Sequence, residues 1–357
     1  MYSDSEPSGS LIKLISDMKN MKSILYILSC TFILIAVTAC NNDEVYDFPG
    51  DSMSRAYVKP FTGDGFIFMH TPVKSFSLLD FKMPVYVTRI SSEDVKVSLV
   101  VDNSLVETYN AVNGTEYEAI PDNALMLENT TVTIPAGNYH SSDSIHVLAN
   151  ENMISDLRSE KGYLIPIKIV NVEGGGVVSS TNLDCAYLFV NSDIKDGMID
   201  ETAVDDDVTG TLVADRAGWN AYLENENGVD VTGEIANMFD GENATEWALS
   251  SSTPFQFVID MQQVYDVTAI YSRYLYYGRI EYPTFSEGFE IEASQNGSDW
   301  ENIGIVPSSV GGYFGTKNII LYAAVPMRYI RVTVPVISSY SGDKASANIG
   351  EFNVYVK

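Results

Sequence analysis

From about residue 55 onward, apolar side chains recur at every second position rather than every third or fourth. This spacing predicts strands with one buried face. Phe81–Ile90 and Val95–Val101 follow it in the first half of the chain. Thr131-Val132-Thr133-Ile134 runs into Pro135-Ala136-Gly137, a strand closed by a turn. Tyr163–Val170 and Leu183–Val190 supply two more strands. One helical interruption stands out. Ser104-Leu105-Val106-Glu107 has Ser at an N-cap position and Glu three residues on, predicting a short helix that ends near Asn113-Gly114. The spacing of these elements predicts a β-sandwich with one helical insert over residues 55–191.

The second half, residues 210–357, predicts strands at Phe255–Met261, Val267–Tyr271, Gly288–Ala293, Lys317–Tyr322, Arg328–Val334 and Phe352–Val356, with a short helix over Glu234–Met238. Between the halves, residues 192–209 carry Asp193, Asp196, Asp200, Glu201 and the run Asp205-Asp206-Asp207. Three consecutive acids could be catalytic. A solvated, self-repelling acidic linker is the simpler reading.

The N-terminus is organised differently. After a polar stretch, Met21-Lys22 opens the apolar run Ile24–Ala39, which ends Val37-Thr38-Ala39-Cys40. A basic start, an apolar centre and small residues before Cys predict a lipoprotein signal over residues 21–40, with Cys40 as the lipidated residue. The run is shorter than the ~20 residues a helical membrane span needs. Residues 41–54 then act as a tether. Asn41-Asn42-Asp43-Glu44 resembles the surface-export signals of glycan-foraging Gram-negative gut bacteria, which implies an outer-membrane, lipid-anchored protein exposed at the cell surface.

Composition narrows the function. The formal net charge is −27 at pH 7, which would repel nucleic-acid phosphates, so no nucleic-acid partner is expected. Two of the three cysteines, Cys30 and Cys40, lie in the leader, so no disulfide framework is expected, and Cys185 reads as a small buried apolar residue. The only histidines are His70, His140 and His146, all in the first half. No Gly-x-Ser-x-Gly elbow and no Asp-x-x-Asp-x-Asp-x-Glu signature occurs. No catalytic residues are assigned.

Two resemblances give these readings a context. Asn237-Met238-Phe239-Asp240-Gly241-Glu242-Asn243-Ala244-Thr245-Glu246-Trp247 resembles the first calcium loop of the discoidin, or coagulation-factor 5/8 type C, domain. That family includes the family 32 carbohydrate-binding modules. Ser294–Trp300, Arg328-Tyr329-Ile330-Arg331-Val332 and Ile349-Gly350-Glu351-Phe352 resemble its hairpin, late strand and closing segment, in the same order. In the first half, Val101–Leu105, Tyr109-Asn110, Gly114–Tyr117, Thr133–Gly137 and Tyr163–Ile169 resemble domain of unknown function 1735, found near the N-terminus of surface lipoproteins from glycan-use loci.

The first resemblance implies a structural Ca²⁺. It would be held by the side chains of Asp240 and Glu351, by hydroxyl and carbonyl of Thr245, and by the main-chain carbonyls of Asn237, Glu242 and Gly350. Hard oxygen donors in a Gly-containing turn suit that ion. It also implies ligand-binding loops at one end of a jelly roll, apart from the metal. The aromatic segments available there contain Arg273, Tyr274, Tyr276 and Tyr277, then Tyr313 and Phe314. Tyr rings stack on the C–H faces of sugars, and their hydroxyls add polar contacts. Trp219, Trp247 and Trp300 are expected to pack in the core. The expected protein is all-β: an N-terminal immunoglobulin-like β-sandwich followed by a discoidin-like jelly roll. Its expected role is to bind a glycan or glycoprotein without cleaving it, in company with other glycan-uptake surface proteins. A surface adhesion or scaffold protein that binds polypeptide, and a glycan hydrolase, are the alternative readings.

Overall fold

The computed structural model describes residues 53–242, 245–273, 287–308, 316–338 and 342–357. Cys40 and the apolar leader lie outside the described residues, as do Tyr274, Tyr276, Tyr277, Tyr313 and Phe314. Strands dominate both halves, and one α-helix, Leu105–Asn113, occurs among the described residues.

In the first half a seven-stranded sheet runs in the order Ser75–Ser77, Phe66–His70, Cys185–Ile194, Tyr163–Glu173, Val95–Val101 and Thr131–Ile134, with Glu118–Ala119 beside Tyr163–Glu173. A three-stranded sheet of Asp80–Met83, Ile145–Ala149 and Leu125–Glu128 accompanies it. A small third sheet joins Val178–Ser179, Arg55–Tyr57 and Tyr86–Val87. Their inward faces share one core that includes Phe68, Leu99, Ile120, Val147, Ile165 and Leu188. Alternation decides which face is inside. Val95, Val97 and Leu99 are buried, while Lys96 and Val100 between and beyond them are exposed.

Two local expectations change. Phe81–Ile90, read as one strand, is two short strands in different sheets, broken at Pro84, which has no N–H for a ladder. At the helix start Ser104 has helical dihedrals and makes no side-chain cap bond. Its N–H and hydroxyl both donate to Asp102 Oδ1, at 3.2 and 2.5 Å. Asp102 therefore organises the turn that enters the helix. The helix ends as expected, with Gly114 left-handed and its N–H donated to Asn110 O.

In the second half a seven-stranded sheet runs Thr211–Leu212, Glu351–Val356, Phe255–Arg273, Thr316–Val334, Glu290–Ser294 and Glu301–Ile305, with Asn220–Leu223 also on Phe255–Arg273. A three-stranded sheet of Val229–Thr232, Trp247–Ser251 and Ala345–Ile349 accompanies it. Trp247, Leu249, Phe257, Ile291, Val332 and Phe352 fill a shared core. The pairs of strands expected at 255–261 and 267–271, and at 317–322 and 328–334, are in fact two long strands of 19 residues each. Register shifts between Asp260 and Tyr265, with Gln262 left-handed, let pairing continue across the polar interruption that looked like a loop.

Residues 192–209, expected as a solvated linker, are partly built into both halves. The strand Cys185–Ile194 extends into the segment, and the Lys195 N–H donates to His70 O at 2.8 Å. Met198 is fully buried in the second core, its N–H on Ile303 O and its carbonyl accepting from Tyr322. Thr71 donates to Met198 Sδ at 2.9 Å, and Lys74 donates to Ala324 O. Asp205-Asp206-Asp207 remain exposed, on one 3₁₀ turn.

Candidate functional site: the Asp240–Glu351 loop and the adjoining strand ends

The loop begins where the 3₁₀ turn Ile235–Met238 stops, with the Phe239 N–H on Ala236 O. Gly233, just upstream, has φ +79°, and a Cβ there would lie 1.9 Å from Glu246 O. Only glycine lets the two ends of the loop approach so closely. Asn237 then ties them, its side-chain amide donating to Glu246 O at 2.8 Å. Asp240 folds the chain on itself: Oδ1 accepts the Glu242 N–H at 2.8 Å and Oδ2 accepts the Thr245 hydroxyl at 2.8 Å. Gly241 is left-handed at φ +78°. That conformation turns its N–H onto Glu351 Oε1.

Glu351 opens the strand Glu351–Val356 and is 6% exposed. Its other oxygen, Oε2, accepts from Arg216 Nη1, which also donates to Phe352 O at 2.7 Å. Burial pushes the Glu351 carboxyl upward, and the Arg216 guanidinium and the Gly241 N–H oppose that shift. Arg216 itself sits in a tight turn, with the Trp219 N–H on Arg216 O at 3.0 Å. Trp219 is 7% exposed and packs against Phe239 and Phe352. The aromatic cluster thus holds the arginine turn, the loop and the Glu351 strand together.

Residues 222–352 match the family model for the F5/8 type C domain. The C-terminal half is an F5/8 type C domain. Residues 67–176 match a second family model, of an N-terminal domain. Comparison with curated proteins finds no match. Among solved structures, a two-domain protein of unknown function from Bacteroides fragilis is 14% identical, covering 85% of this chain and 94% of its own, with TM-score 0.38. The family 32 carbohydrate-binding module of Clostridium perfringens NanJ, in complex with galactose, is 18% identical over 41% of this chain and 99% of its own, TM-score 0.33. A further C. perfringens family 32 module, in complex with GalNAc-β-1,3-galactose, is 13% identical over 40% and 97%, TM-score 0.32.

Within the F5/8 type C domain the structure brings together the side chains of Asp240, Thr245 and Glu351, as the resemblance implied, and adds Arg216, which the sequence reading omitted. No sequence pattern marked Arg216, which lies 135 residues from its partner. For a resident Ca²⁺ the fit is poor on charge, because the Arg216 guanidinium already sits on Glu351. Both oxygens of each carboxylate already accept from a protein donor, and one of those donors is a cation. Among the described residues, no three His, Cys, Asp or Glu side chains gather as metal ligands.

Of the six residues expected to hold a ligand, only Arg273 is described. It is half-buried and ends the strand Phe255–Arg273, in register with Thr316 on one neighbouring strand and Glu351 on the other. The Gly350 N–H donates to Arg273 O at 2.9 Å. Arg273, the last described residue before 274, therefore lies one strand from Glu351. Arg273 and Glu351 bring opposite charges to this end of the sheet.

The three tryptophans divide. Trp219 and Trp247 are core. Trp300 is half-buried outside the core, with the Arg331 guanidinium 4.2 Å from its ring centre. The histidines of the first half take structural roles. His70 is buried between Leu157 O, 2.9 Å from Nε2, and Ser75 Oγ, 3.0 Å from Nδ1. Cys185 is half-buried rather than buried, and desolvation pushes its thiol up to about 11.

Proposed function

We propose that this chain is a cell-surface lipoprotein that binds a glycan without cleaving it, as part of a glycan-uptake system, and that its F5/8 type C domain holds the sugar. The match of residues 222–352 to that family carries the reading. The position of Arg273 supports it, because two tyrosine-containing segments join the sheet at and across from that residue. Arg273 would supply hydrogen bonds to sugar hydroxyls, and Tyr274, Tyr276, Tyr277, Tyr313 and Phe314 would supply stacking rings. One stacked ring contributes only ~0.5–1.5 kcal/mol beyond its area burial, so a single site is weak and dense display on a membrane raises avidity. Cys40 would carry the lipid, and residues 41–54 would hold the domains clear of the outer membrane.

The test is a glycan array with the soluble chain from Asp43 onward, with galactose and GalNAc-β-1,3-galactose among the probes. The double variant Tyr276→Ala/Tyr313→Ala should lose binding while its melting temperature stays unchanged. Binding that survives both this pair and Arg273→Ala would move the site elsewhere. Cys40→Ala should shift the full chain from the detergent phase to the aqueous phase.

A further inference from the structure

We propose that Arg216 is the resident cation of the Asp240–Glu351 loop, so that the F5/8 type C domain closes this loop without a metal ion. The loop holds two carboxylates, and each of their four oxygens has a donor within the chain. Three of these donors are neutral and the fourth is a guanidinium, which does not lose its proton in proteins. The Arg216 and Glu351 side chains are 15% and 8% exposed, so solvent screens their attraction poorly. A dication placed on Glu351 would share that carboxylate with the guanidinium and be repelled by it.

Arg216 also has little room to leave. The nitrogen that holds Glu351 donates to Phe352 O as well, and the backbone of the arginine turn is pinned by Trp219. The cation is therefore a half-buried side chain anchored at two points beside the core rather than a free surface group that bends over the loop. A corollary follows from the same charges. Without Arg216, Asp240 and Glu351 would face each other across Gly241 with no counter-ion, next to the Thr245 hydroxyl. That is a donor set for a hard divalent cation. Arg216 thus masks a Ca²⁺ site that its removal would expose.

The experiment uses the full chain, purified in detergent without added metal. Elemental analysis should find well under one Ca²⁺ per chain, and the melting temperature should be the same in chelator and in millimolar CaCl₂. In Arg216→Gln the melting temperature should fall by several degrees in chelator, and Ca²⁺ should then raise it in a saturable way. Arg216→Lys, which keeps a cation, should stay insensitive to Ca²⁺. If Arg216→Gln does not fold in chelator, Arg216→Gln/Glu351→Gln removes both charges and should recover folding with no response to Ca²⁺. Two results would overturn the proposal. One is stoichiometric Ca²⁺ in the wild-type chain, or a wild-type melting temperature that chelator lowers and Asp240→Asn makes insensitive. The other is an Arg216→Gln variant that melts like wild type.

Discussion

Two clusters in this chain combine two carboxylates with one nitrogen-bearing side chain, in opposite surroundings. In the second half, Glu351 accepts from the Gly241 N–H and from Arg216, while the neighbouring Asp240 accepts from the Glu242 N–H and the Thr245 hydroxyl. In the first half, His146 bridges Asp80 and Glu128 across three neighbouring strands, at 2.7 Å from Nε2 and 3.0 Å from Nδ1. The side chains of Asp80 and Glu128 are 72% and 60% exposed, against 8% for Glu351. Burial decides what each cluster is worth. An exposed ion pair contributes little because water already solvates both charges. A buried pair contributes little net stability when intact, yet breaking it strands a charge. The first half's cluster is an ornament of a strand face, whereas the second half's is a latch whose parts cannot be removed singly.

The sharpest way to test that contrast is to break each pair. Arg216→Gln should lower the unfolding free energy by about 3–5 kcal/mol, the range for a buried pair that loses one partner. Urea titration with an unchanged m-value would measure it. Gly241→Ala tests whether backbone geometry or charge holds the latch. A Cβ would meet nothing within 4 Å, so the cost is the left-handed conformation alone, about 1–2 kcal/mol. A loss as large as that of Arg216→Gln would mean that the turn, not the ion pair, dominates. Thr245→Val removes one hydrogen bond to Asp240 at the exposed edge of the loop and should lose about 1 kcal/mol or less.

The smallest effect belongs to His146, and pH reveals it. Its hydrogen bond to Asp80, and then that to Glu128, raise the imidazole above its ordinary 6.5. A folded value above the unfolded one means that the stabilisation is complete below pH 6.5 and is lost as pH rises through the folded value. Thermal melts of wild type and His146→Gln should therefore differ slightly at pH 6 and converge at pH 9. The Arg216→Gln deficit, in contrast, should be the same at both ends of that window. A deficit that changed as much as that of His146→Gln would erase the distinction between the clusters.

Much of the fold was legible because alternation reports a strand's two faces directly. Val95, Val97 and Leu99 lie inward as their spacing implied. The errors came where a strand bends or breaks. Pro84 divides an alternating run between two sheets, while one 19-residue strand continues through the polar Gln262–Asp266 stretch and the other through Ala323–Met327, both of which looked like breaks. Alternation records neither which sheet a segment joins nor whether its neighbour tolerates a bulge. The site was legible in its local chemistry: Asp240, Gly241 and Thr245 lie close in sequence and make a turn by short-range bonds. Glu351 could be added only through resemblance, because its contact spans 110 residues. Arg216, 135 residues from its partner, gave no pattern.

The sequence by itself determined the β architecture of both halves, the turn chemistry of the Asp240 loop, and the acidic balance that argues against a nucleic-acid partner. Each depends on periodicity, local dihedral preference or a sum of charges, none of which needs to know the chain's path. Tertiary structure alone decided that Met198 joins the second core, that Arg273 stands one strand from Glu351, and that the cation on Glu351 is a guanidinium from the start of the domain. These are juxtapositions of residues far apart in sequence. They exist only once hydrophobic burial has brought the strands into register, and charge–charge energy at short range depends on that distance and on the water excluded with it.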